Sequence, residues 1–253
     1  MIAITRDVSP AIDRCELTHL SRQPIDVERA RAQHRAYEDA LGRLGCRVVR
    51  LDAAPELPDS VFVEDTAIVV SEVAIIMRPG AESRRAETAS VAGALGRYRE
   101  LRWIEEPGTI DGGDVIVCGR RVFVGRSSRT NGAGIAQLQN LLVPFGYRVR
   151  GVDLRGCLHL KSAATQVSTD MLLVNPAWIV RDQFADVELL AVAESEAYGA
   201  NILQAGDGWI YPASFPKTRE TLERHSISPL VVEVDELAKA EGAVTCCSLL
   251  VAE

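Results

Sequence analysis

The sequence has no C-x-x-C pair, and its six cysteines (Cys15, Cys46, Cys118, Cys157, Cys246 and Cys247) lie scattered over 253 residues. That excludes a zinc module and a small disulfide framework. Polar residues or proline interrupt every apolar run before it reaches membrane-spanning length, so no membrane partner is expected. The opening Met-Ile-Ala-Ile-Thr-Arg-Asp lacks the basic-then-apolar order of a secretory signal. There is no run of like charges, no Pro/Ser-rich linker and no low-complexity tract. With a net charge of −7 the chain also lacks the basic surface that nucleic acid requires. These absences leave a soluble, reduced, cytoplasmic protein as the expectation.

What is present is ordinary in bulk. The chain is 47% hydrophobic and 25% charged, a globular composition with length enough for a large core. Length alone allows one or two domains. Ile2 to Thr5 reads as a strand. Asp7 to Ile25 is a polar loop, either a lid or a solvated connection, holding Leu17, Thr18, His19 and Leu20. Asp26 caps a helix whose buried face carries Val27, Ala30, His34, Tyr37, Leu41 and Leu44, and Gly45 ends it. His34 reads as a satisfied interior histidine. A strand over Arg47–Leu51 follows, then an apolar strand from Pro58 to Val70. Hairpins, helices and further strands alternate from there, with a helical stretch near Val187–Val192. Roughly five short units of this kind, each too short to stand alone, fit a cyclic array of mixed modules better than a doubly wound sheet.

Four places carry candidate chemistry. The strand to Val70 bears Asp59, Glu64 and Asp65, more acid than a buried strand holds unless it is paired or binds something. Asp111-Gly-Gly-Asp114 is either a plain turn or a close backbone approach to a ligand. His159 stands between Leu158 and Leu160, and Arg84 and Arg129 sit near loop mouths, where an arginine is either a surface charge or a grip on a carboxylate. The closing β-rich segment, Glu241 to Glu253, carries Cys246 and Cys247. Side chains alternate along a strand, so one thiol would face a cleft while the other packs. A thiolate nucleophile would need a histidine and charged partners, and the other three places supply them.

Six segments in order, Pro58-Asp-Ser-Val-Phe-Val-Glu-Asp65, Arg78-Pro-Gly-Ala-Glu-Ser-Arg-Arg85, Thr109-Ile-Asp-Gly-Gly-Asp-Val115, Ser128-Arg-Thr-Asn131, Leu158-His-Leu-Lys-Ser162 and Thr245-Cys-Cys-Ser248, span nearly the whole chain. Together they resemble the dimethylarginine dimethylaminohydrolases. The resemblance implies an α/β pentein fold over residues 1–253. That fold is a five-bladed propeller with a pseudo-fivefold repeat of ββαβ modules around a central channel that holds the active site. It assigns Cys246 as nucleophile, His159 as general acid/base and Asp111 as a catalytic carboxylate, with Cys247 packing. Asp59, Glu64 and Asp65 fall at substrate-binding positions, Asp65 being the direct partner of the guanidinium. Arg84 and Arg129 would hold the α-carboxylate, Leu17 would close over the substrate, and Ala240 would offer a backbone contact near the amino group.

The chemistry suits that set. A guanidinium is a poor electrophile that flanking carboxylates hold flat, and a thiolate attacks it where a thiol does not. The expected partner is a small guanidino amino acid. No cofactor or metal is needed, although a thiol beside a histidine can take zinc adventitiously, and a homodimer is among the states the sequence allows. The competing expectations are a same-fold deiminase or amidinotransferase and, in another class, a non-catalytic pentein binding protein.

Overall fold

The computed structural model, which describes residues 1–253, turns the alternation into fifteen strands and six α-helices. The first module holds β1 (Ile2–Arg6), α1 (Val27–Arg43) and β2 (Arg47–Leu51). The second holds β3 (Ala67–Val69), β4 (Val73–Ile76), α2 (Thr88–Leu95) and β5 (Glu100–Trp103), and the third β6 (Val115–Cys118), β7 (Arg121–Arg126), α3 (Gly132–Leu142) and β8 (Arg148–Asp153). A one-turn helix, α4 (Leu160–Ala163), leads into the fourth, built of β9 (Ala164–Ser168), β10 (Met171–Val174) and β11 (Glu188–Ala191). The fifth has β12 (Leu203–Ala205), β13 (Gly208–Pro212), α5 (Pro216–Arg224) and β14 (Leu230–Val232). After α6 (Asp235–Ala238), β15 (Leu249–Val251) returns to pair antiparallel with β1, Ile2 opposite Val251.

The result is five three-stranded sheets, each an antiparallel pair followed by a crossover to a parallel third strand. Local chemistry sets the helices that make these crossovers. The Asp26 carboxylate accepts from the Arg29 N–H at 3.0 Å to open α1, and Gly45, at φ +80°, ends the turn beyond it. Asn131 caps α3 through the Gly134 N–H at 2.8 Å. Each of five apolar clusters draws on neighbouring modules: Ile4 shares one with Ala74, Ile75 with Val122, Phe123 with Leu172, Leu173 with Tyr211, and Ile210 with Tyr37. The last cluster returns to the first module, so packing closes a ring. No helix is long and apolar enough to cross a membrane.

Four expectations need correction. Cys246 and Cys247 lie not on a strand but in the turn Val244–Cys247, and strand begins only at Leu249. Glu64 and Asp65 sit in a single 3-10 turn, Val63–Thr66, ahead of a three-residue strand, while Asp59 lies in the turn before it. The stretch near Val187–Val192 is β11, paired parallel with β10, because periodicity cannot separate a short apolar strand from a helix turn. His34 is buried, but its Nε2 has no partner and its Nδ1 stands 3.7 Å from Glu38, so it is interior without being satisfied.

Candidate active site

The first two of these differences have one cause. The chain turns sharply just before the first strand of each of four sheets, and those turns carry the polar residues: Val63–Thr66 before β3, Gly112–Asp114 before β6, α4 before β9 and Val244–Cys247 before β15. Neighbouring turns bond to one another. The Glu64 N–H donates to the Cys246 carbonyl at 3.1 Å, and the Gly113 N–H to Asp65 Oδ1 at 3.0 Å. Glu64 joins three of them, accepting from Lys161 Nζ at 2.5 Å and from Thr245 Oγ1 at 2.8 Å.

Cys246 is half-buried, and the Ala243 N–H points at its Sγ from 3.4 Å. Cys247 is fully buried in the cluster that joins the fifth and first sheets. One thiol therefore faces the site and its neighbour packs, as expected, but the turn sets this rather than strand alternation. Burial, then the charges of Glu64 and Asp65, push the Cys246 thiol well above its ordinary range.

His159 occupies the cap position of α4 and is 7% exposed. Its Nε2 lies 3.0 Å from Asp111 Oδ2 and its Nδ1 3.8 Å from Asp65 Oδ1. Burial alone would lower its pKa. Asp65, the Asp111 hydrogen bond and Asp114 outweigh that and raise it to about 9, so the ring is an imidazolium at neutral pH. Asp111, wholly buried, also accepts from the Gly80 N–H at 2.8 Å. Asp114 takes hydrogen bonds from Ser127 Oγ, Thr130 Oγ1 and the Leu160 N–H, and burial lifts it to about 6. Two glycines separate these acids, and the second sits where a side chain has no room. A Cβ on Gly113 would lie 2.7 Å from both Asp65 Oδ1 and His159 Nδ1.

Arg84 is buried beside Asp65. Its guanidinium donates to Asp65 at 2.5 Å, to Glu87 at 3.1 and 2.8 Å, and to the carbonyls of Asp59 and Phe62. Burial would raise the Asp65 pKa, but Arg84 and then His159 overcome it and hold that carboxyl at about 2. Nearly every Arg84 donor is thus engaged within the protein. Arg129 is freer and gives one hydrogen bond, to Thr18 Oγ1 at 3.2 Å.

A cavity of about 20 Å³ gathers Asp59, Asp65, Arg84, Arg129, His159, Ala240 and Cys246. Three expected residues do not line it. Glu64 faces a separate cavity with Lys161, Asp111 hydrogen-bonds His159 from behind, and Leu17, within the Asp7–Ile25 loop, packs against the core. Asp59 lines the cavity but spends its oxygens on the Glu16 N–H at 3.2 and 3.1 Å. The ligand atoms of Asp65, Asp111 and His159 lie within 4.8 Å of one another, near enough for a cation. Arg84 and the His159 proton already balance those carboxylates.

The family model for N,N dimethylarginine dimethylhydrolase, eukaryotic, matches residues 11–197. A dimethylarginine dimethylaminohydrolase of Streptomyces coelicolor is 42% identical, over 99% of this chain and 97% of that one. The chain belongs to this family. The Pseudomonas aeruginosa enzyme of the same name is 35% identical, over 94% of each chain. The structure of a Cys-to-Ser variant from that organism, complexed with citrulline, superposes with TM-score 0.91 at 33% identity, over 98% of this chain and 97% of that one. The N-terminal domain of ArgZ, a cyanobacterial arginine dihydrolase, shares the fold at 18% identity and TM-score 0.87, over 98% of this chain and 96% of that one.

The pentein propeller expected of the family is the fold found. Glu87, Asp114, Lys161, Thr245 and Glu241 have no role assigned from the sequence. Asp114, Lys161 and Thr245 stand inside the family segments and so were legible as candidates. Glu87 is an i+3 neighbour of Arg84 on a helical turn, a spacing that signals a pair.

Proposed function

We propose that the chain hydrolyses Nω-methylated arginines, asymmetric dimethylarginine and monomethylarginine, to citrulline and dimethylamine or methylamine. The observation that carries this reading is the meeting of Cys246, the Asp65 carboxylate and a cationic His159 around one small enclosed cavity. Asp65, held ionised by Arg84, would take the edge of the guanidinium. The bound cation would offset Asp65 and Glu64, the charges that hold the thiol up, and Cys246 would ionise, releasing its proton to solvent. The thiolate attacks the central guanidinium carbon and forms a C–S bond. The C–N bond to the methylated nitrogen breaks as His159 donates a proton to the departing amine. Water then attacks the S-alkylthiouronium, His159 takes its proton, and the C–S bond breaks to give citrulline and the free thiol.

Asp111 would orient and charge His159 in both half-reactions. Arg129 would meet the α-carboxylate, with Arg84 contributing the one N–H not already engaged. Leu17 would move with the lid, Asp59 would anchor its base, and the Ala240 backbone would face the amino group. Glu64 would fix the Cys246 turn. All six cysteines are free, the state a reducing cytoplasm maintains, and we place the enzyme there with a small guanidino amino acid as its partner.

The test is a paired turnover assay on asymmetric dimethylarginine and plain arginine. Citrulline and released amine are both scored, with Cys246→Ser and Cys247→Ser alongside. Citrulline with dimethylamine, lost only in Cys246→Ser, is the expected result. Ammonia release from arginine would make the enzyme a deiminase, and no turnover of either would overturn the reading.

A further inference from the structure

The lid over the cavity is tied down at its tip by one side chain. Thr18, His19 and Leu20 donate their backbone N–H groups to the Glu241 carboxylate at 3.1, 2.6 and 2.6 Å. Glu241 has φ +57°, a left-handed conformation that a non-glycine residue adopts only where its surroundings enforce it. The enforcement is visible next door, where a Cβ on Gly242 would lie 2.2 Å from the Phe62 ring.

Little else holds that part of the lid. Thr18, His19, Ser21, Arg22 and Gln23 are exposed, and a separate cavity of about 360 Å³ lies against His19 and Leu20. The other ties flank the tip: Glu16 is held by Asp59 and by Ser83 Oγ at 2.7 Å, Arg22 donates to the carbonyls of Asp13 and Cys15, and the Pro24 carbonyl accepts from Lys239 Nζ at 3.1 Å. At the tip the remaining tie is Arg129 on Thr18, and Arg129 is the residue a substrate carboxylate would claim. The cavity under the closed lid holds about one water, so an amino acid enters only when the lid lifts.

We infer that Glu241 is a positioning residue, the latch that returns the lid over bound substrate and closes the cavity that holds Cys246. This rests on the proposed function for its meaning, but the latch itself can be read without turnover. The variants are Glu241→Gly, which removes the carboxylate and suits the backbone conformation, and Glu241→Gln, which keeps an acceptor oxygen without the charge. Amide hydrogen exchange at residues 18–20 and the iodoacetamide alkylation rate of Cys246, followed by mass spectrometry of its peptide, should both rise in Glu241→Gly. The expected factor is roughly tenfold, what one hydrogen bond to a charged group amounts to as an equilibrium constant. Glu241→Gln should rise less, with the thermal midpoint of both near wild type. KM should increase more than kcat falls. If Glu241→Gly does not fold, Glu241→Gln carries the same comparison. Wild-type exchange and alkylation in a folded variant would overturn the latch. Faster exchange and alkylation in an enzyme that turns over no methylarginine would keep the latch and discard the substrate.

Discussion

Asp111→Asn isolates the charge that holds the proton on His159. Burial drives an imidazole toward its neutral form, and here three carboxylates reverse that to leave the pKa at about 9. The Asp111 share acts through the 3.0 Å contact to Nε2. A hydrogen bond to a charged partner is worth about 1.5–3 kcal/mol, and one pH unit about 1.4 kcal/mol, so its loss should lower the His159 pKa by about one to two units. Asparagine adds to this. If its oxygen keeps the Gly80 N–H, its amide hydrogens face Nε2 and favour the unprotonated ring.

Two observables follow. His159 stands above its unfolded value of 6.5, so it contributes stability that is fully present below about pH 6.5 and disappears as pH rises through about 9, roughly 3 kcal/mol in all. In Asp111→Asn that alkaline loss should be complete one to two pH units earlier. The alkaline limb of kcat/KM should move with it, because His159 must be protonated to release the amine. Proton NMR titration of the free enzyme assigns the ring directly. A wild-type His159 titrating near 6.5, or the same pKa in Asp111→Asn, would refute the reasoning.

Two further substitutions test the supports of Asp65 and His159. Arg84→Met leaves Asp65 and Glu87 buried without their cation and should cost about 3–5 kcal/mol in chemical denaturation; a loss under 1 kcal/mol would mean the triad is open to solvent. Gly113→Ala places a methyl 2.7 Å from both Asp65 Oδ1 and His159 Nδ1, so kcat should fall by about two orders of magnitude from displacement alone, and unchanged kcat would show that the turn yields freely.

The hairpins, the helix caps and the order of the modules were legible because each is local. Asp26 caps the helix it precedes, and Pro216 opens α5. Cys246 and His159 were legible as candidates from their segments. Their backbone was not, since a short apolar run around a polar residue scans as a strand whether it is one or a tight turn ahead of one. Asp59, Glu64 and Asp65 were grouped as one acidic set, yet they diverge onto the lid base, the Cys246 turn and His159. No periodicity encodes that, because each destination is decided by a different neighbouring module. Glu241 reaches a loop 221 to 223 residues away in the chain, a pairing no local signal announces.

The distribution of the site over the ring explains why its turns are so constrained. Asp65 comes from the second module, Asp111 from the lead into the third, His159 from the lead into the fourth, and Cys246 from the lead into β15. None of these turns makes a site by itself. Asp65 needs Arg84 to stay ionised in a dry position, His159 needs Asp65 and Asp111 to stay charged, and Cys246 sits where Glu64 fixes its carbonyl. The Cys246 thiol is carried by the closing segment, the one that pairs β15 with β1 and closes the ring. Ring closure and site assembly are therefore linked: a chain that failed to seat Leu249–Val251 against Ile2–Ile4 would leave His159 and its carboxylates without the thiol beside them.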